Sequence, residues 1–291
     1  MYRKPLYCLI AGLLLLYTCG SPQPEAQKGR EIHMVYTDWA ESVAMTHLAS
    51  HLLERNLGYK VVSRLTDIEN VFDELAAGEA DVFLDAWLPA THAGFMELYE
   101  YRLEDLGPNY EHARTGLVVP AYMDISSIVE LREVYEGPIA GIDSNAGIMQ
   151  NTRRAIEIYN LDNELLVLSD AEMAKKLEDA IRRRESIVIT GWKPHWLFYR
   201  YELKYLHDPE NIYMATENIH TIGRIGFREA YPAAVKFFER MVLSEKQMNS
   251  LLFEMQLHED PLIGVRNWVK ENEFIVNQWT RGLREEREKI M

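Results

Sequence analysis

Three patterns in this 291-residue chain predict an α/β fold of two lobes that face one another across a hinged cleft. Short runs rich in Val, Ile and Leu alternate with segments of helical period. Cap-forming residues stand just beyond the ends of those runs, where open α/β sheets present helix N-termini and bind ligands. The chain also breaks twice, near Val119-Pro120-Ala121-Tyr122 and over 217–224, so that two crossings join the halves. The first lobe is then expected over 32–117 with 217–291, and the second over 118–216.

The N-terminus comes first. Arg3 and Lys4 precede an apolar run over 6–16 that is too short to span a bilayer as a mature helix, which marks a processing signal over 1–19. The run stops at Leu16-Tyr17-Thr18-Cys19-Gly20. This resembles a bacterial lipoprotein site in which Cys19 becomes the acylated first residue, with an ordinary signal peptide cleaved nearby as the alternative. Both place the mature chain outside the cytoplasm, on the outer face of a membrane or in the periplasm. A polar, Pro-bearing tether follows over 20–31.

Strands are expected over 32–37, 61–64, 82–85, 116–120, 139–142, 165–168 and 187–190, in largely parallel sheets. Capping boxes are expected at Asp38 with Glu41, Thr66 with Glu69, and Ser169 with Glu172. From Tyr231 onward the pattern is helical, over 233–241, 244–255 and 261–279, which suits a layer closing one lobe.

Composition excludes more than it identifies. The 31 Lys and Arg against 45 Asp and Glu give a net charge of −14, which argues against a nucleic-acid partner. Cys8 and Cys19 are the only cysteines and both precede the folded part, so no disulfide, zinc thiolate or cysteine nucleophile is expected there. No Gly-x-Ser-x-Gly elbow occurs. His47 and His51 have a spacing that could hold a metal, but Leu48 stands where a zinc protease needs Glu, and a helix face explains the pair better. The chain is therefore expected to be no enzyme, with no metal and no cofactor.

Trp39, Trp87 and Trp192 each stand at the C-terminal edge of an expected strand, three of the six tryptophans in the chain. Any one could be core. Together they can turn indole faces into a common space, and several aromatic faces hold a cation without a counter-charge. At about 2 kcal/mol per desolvated contact, three rings would supply about 6 kcal/mol, between millimolar and micromolar affinity. A quaternary ammonium suits such a box because it has no N–H groups that need partners. The segment from Gly141 to Met149 is a strand end turning into a helix, whose first N–H groups favour an anion such as a carboxylate.

The motifs Asp38-Trp39-Ala40-Glu41, Ala86-Trp87-Leu88-Pro89-Ala90-Thr91-His92, Ala146-Gly147-Ile148-Met149 and Gly191-Trp192-Lys193-Pro194-His195-Trp196 resemble the glycine betaine-binding proteins of ABC importers. The resemblance runs from about Ile32 to the C-terminal helices. It implies a type II periplasmic-binding-protein fold and an aromatic prism of Trp39, Trp87 and Trp192 around a trimethylammonium group. It also implies that the ligand carboxylate meets His92 and the backbone amides of Gly147 and Ile148. The implied partners are glycine betaine or a similar betaine and a membrane permease with its ATPase, served by a monomer in osmoprotective uptake. Choline is the least expected ligand, since it lacks the carboxylate.

Overall fold

The computed structural model describes residues 31–213 and 216–283. The signal over 1–19, Cys19 and the tether up to residue 30 lie outside the described residues.

Nine strands form one mixed sheet: β1 Glu31–Tyr36, β2 Lys60–Leu65, β3 Val82–Leu88, β4 Leu103–Pro120, β5 Ile139–Ala140, β6 Leu165–Leu166, β7 Val188–Lys193, β8 Leu203–Tyr205 and β9 Glu217–Arg224. The order is β2-β1-β3-β9-β4-β7-β5-β6, with β8 also on β4. The expectation of largely parallel sheets holds only in the wings. There β1 runs parallel to β2 and β3, and β5 runs parallel to β6 and β7. The middle is antiparallel, β9 against β3 and β4, and β7 and β8 against β4. The reason is topological: β4 carries the chain out of the first half and β9 brings it back, so neighbours running opposite ways must pair antiparallel.

Strand β4 belongs to both halves. Its residues from Leu103 to Ala113 pair with β9, and from Arg114 to Val118 with β7. Only its last five residues were expected as strand; the earlier stretch carries Gly107 and Pro108 and shifts register three times against β9, so no clean period marks it.

Helices follow the strands as the alternation predicts. Two of the three expected capping boxes are not formed. Trp39, not Asp38, caps helix Ala40–Leu52, and Asp67, not Thr66, caps helix Ile68–Ala77, neither with a side-chain bond. Thr66 instead donates to Glu74. Ser169 does form the box with Glu172 at the start of helix Asp170–Arg183, and Ser244 with Gln247 forms another that the sequence reading missed. Helix Ile68–Ala77 ends at Gly78, whose φ of 75° is the left-handed conformation a glycine accepts without strain.

The C-terminal layer comprises helices Pro232–Arg240, Glu245–Gln256, Pro261–Glu271 and Glu273–Thr280. The single helix expected over 261–279 breaks at Asn272, whose side-chain amide donates to the Trp268 carbonyl at 2.8 Å. Trp268 and Trp279 stack in this layer, buried and far in role from the cleft tryptophans. Among the described residues no helix is long and apolar enough to cross a membrane.

Candidate ligand-binding site

Trp39, Trp87, His92, Gly147, Ile148 and Trp192 all line one cavity. The three indoles arrive from different stretches of backbone. Trp39 precedes helix Ala40–Leu52, Trp87 is the last residue but one of β3, and Trp192 holds the same place in β7. Both latter residues lead into a cis X–Pro bond, Leu88–Pro89 and Lys193–Pro194. The sheet places them in step: Trp87 lies opposite Ile219 of β9, Ile219 opposite Tyr110 of β4, and Trp192 opposite Thr115 of β4.

His92 is fixed by the turn it ends. The Trp87 backbone N–H donates to His92 Nδ1 at 2.9 Å, and the His92 N–H returns a bond to the Trp87 carbonyl. With Nδ1 accepting, the proton sits on Nε2, a buried atom with no partner among the described residues. Burial pushes the imidazole down to about 3, so His92 is neutral and acts as a donor. Its ring stacks on Trp39 with centroids 6.3 Å apart. Glu217, at the start of β9, steadies the same turn by accepting from the Ala90 and Thr91 N–H groups at 3.0 and 2.7 Å and from the Thr91 hydroxyl.

Gly147 and Ile148 open helix Gly147–Ile158, where the first N–H groups have no carbonyl one turn earlier to meet. A Cβ on Gly147 would come within 2.3 Å of Thr91 Cγ2, so only glycine admits the close approach seen here. The halves are drawn together in this structure, and a second tie shows it: Asp170 accepts from His195 Nε2 at 3.0 Å and from the Ala40 N–H at 3.2 Å. His195 in turn accepts the Leu197 N–H at 3.1 Å, which orders the loop after Trp192.

Glu41 belongs to the site although its sequence pattern fits a capping box: the side chain is buried in the cavity wall and its Oε2 accepts the Trp192 indole N–H at 2.7 Å. Asp85 does the same for Trp87 at 2.9 Å. Burial drives both carboxyls well above the ordinary carboxylate range, and for Glu41 the nearby Asp85 adds to it. The only trace in the sequence was an acid two residues from each of two tryptophans. The Trp39 indole N–H has no partner among the described residues.

Comparison with known proteins places this geometry. A family model described as the substrate binding domain of ABC-type glycine betaine transport systems matches residues 30–271. The glycine betaine/carnitine transport binding protein GbuC of Listeria monocytogenes is 38% identical over 157 residues, 53% of this chain and 52% of that protein. The chain thus aligns with about half the length of this curated relative. Lactococcal OpuAC, solved closed with glycine betaine, is 33% identical with a TM-score of 0.81 over 87% of this chain and all of that one. The glycine betaine/L-proline-binding protein ProX of Borrelia burgdorferi is 29% identical, also at 0.81, over 87% and 97%. The two lobes and the cleft between them are shared with these structures, and the chain belongs to the family of substrate-binding domains of ABC-type glycine betaine transport systems.

Proposed function

We propose that the chain captures glycine betaine, or a closely related quaternary-ammonium carboxylate, between its lobes and delivers it to the permease and ATPase of an ABC importer. One observation carries this reading: a single cavity gathers three indoles together with a neutral imidazole whose Nε2–H has no partner. The rings offer their negative faces to a trimethylammonium group. His92 and the free N–H groups at the start of helix Gly147–Ile158 offer donors to the carboxylate at the other end. Among the described residues no Lys or Arg lines the cavity to compete for that carboxylate or repel the cation.

The lobes of this reading are 32–117 with 217–291, and 118–216. The change of partner along β4 between Ala113 and Arg114 supports such a division. Delivery requires export, a monomer whose closure the permease can sense, and an anchor through Cys19 if the leader is processed as a lipoprotein's.

Titration calorimetry of the mature protein tests the reading. The expected result is one saturable site for glycine betaine with an affinity of about micromolar or better, weaker binding of choline, and none of lysine. Lysine bound as tightly as glycine betaine, or no heat from any betaine, would overturn it.

A further inference from the structure

An aromatic cage does not need a carboxyl in its wall, yet Glu41 stands there, 1% exposed. Its hydrogen bond to Trp192 crosses the cleft, from the helix after β1 to the end of β7. The titratable groups around it are Asp85 from β3, Asp170 from helix Asp170–Arg183, and the imidazoles of His92 and His195. His92 is neutral, and among the described residues no Lys or Arg lines the cavity. Glu41 is therefore a buried acid that meets the Trp192 indole N–H and its own backbone N–H and, among the described residues lining the cavity, no positive charge.

We propose that Glu41 is a specificity-determining residue, which lets the lobes close on a cation and penalises closure on an uncharged ligand of the same shape. This rests on the quaternary-ammonium reading above. With the lobes apart, the cavity opens to water and Glu41 is ionised at neutral pH. Closure takes it out of water, and an unpaired buried carboxylate costs several kcal/mol, so it must either meet a positive charge or take up a proton. A trimethylammonium group in the cage supplies the charge. A tert-butyl group of equal size supplies none.

The sign of the pH dependence follows. Burial raises the Glu41 carboxyl in the closed state, so closure on a neutral group binds a proton and weakens as pH rises above its ordinary value of 4.5. Closure on a cation keeps Glu41 ionised and is nearly level over the same range.

The probe is 3,3-dimethylbutyrate, the carbon isostere of glycine betaine, titrated beside it from about pH 6.5 to about pH 8.5, where its own carboxyl stays ionised. In the wild type, glycine betaine should bind at least about a hundredfold more tightly near neutral pH, and the isostere should weaken as pH rises. Glu41→Gln keeps an acceptor for the Trp192 N–H but cannot ionise. It should narrow the preference by about tenfold or more and flatten the isostere's profile. Glu41→Leu removes the charge and the acceptor together, so it should narrow the preference as Glu41→Gln does and weaken both ligands besides. An unchanged preference in a folded Glu41→Gln, with glycine betaine still bound by the wild type, overturns the inference. Should that variant not fold, the wild-type profile decides: an isostere affinity that falls with rising pH supports the proposal, and a level one overturns it. A wild type that binds no betaine sinks the ligand reading first and this inference with it.

Discussion

On the proposed reading, the two ends of the cavity solve opposite problems. At the cage end, two of the three indole N–H groups are already bound, Trp87 by Asp85 and Trp192 by Glu41, so those rings present only their faces. At the other end, His92 Nε2 has no partner among the described residues and the first N–H groups of helix Gly147–Ile158 are exposed by the geometry of a helix start. A weakly hydrated cation needs rigid faces and no donors, and a carboxylate needs donors that nothing else has taken. The difference teaches that hydrogen-bond satisfaction, not residue polarity alone, divides the site into its two halves.

The comparison can be broken from either side. Trp87→Ala removes one face and leaves Asp85 buried without its N–H donor; glycine betaine should bind at least about tenfold more weakly with the fold intact by circular dichroism. Unchanged calorimetric affinity would remove Trp87 from the cage. His92→Ala should cost carboxylated ligands about tenfold and choline much less, because one donor to a charged acceptor is worth roughly 1.5–3 kcal/mol. Equal losses for both ligands would count against the assignment of the carboxylate end.

The smallest effect is on stability. The His92 imidazole titrates near 6.5 when unfolded and about 3 when folded, so the unfolded chain binds the extra proton and stability falls as pH drops through that window. In His92→Gln the decline in melting temperature between about pH 6.5 and about pH 4 should be shallower. An identical slope in variant and wild type would mean that the ring is not buried as a neutral donor.

Much of the fold could be read from the chain because its buried strands are short apolar runs. Residues 82–85 are Val, Phe, Leu and Asp, and only the Asp interrupts the pattern, for a reason the tertiary structure supplies. Trp87 and Trp192 are legible for a different reason, since a Pro two residues on and a His soon after it follow each of them. Glu41 was not legible. An acid three residues after an Asp reads as a capping box whether its side chain turns back to the helix start or inward to an indole 151 residues away. Glu217 was hidden in the same way, as its three hydrogen bonds reach a turn more than 120 residues earlier. The first part of β4 escaped because its bulges erase the two-residue period on which strand recognition depends.

Strand β4 also acts as a spacer. Trp87 is carried, through β9, to the level of Tyr110, and Trp192 to the level of Thr115, so the two rings are set apart by a stretch of one strand that straddles the change of partner. Adding or deleting a single residue there would turn every later side chain to the opposite face of the sheet and carry one ring out of step with the other. The separation of the two indoles is thus a length measured along the backbone, set by a count of residues and not by the side chains around it.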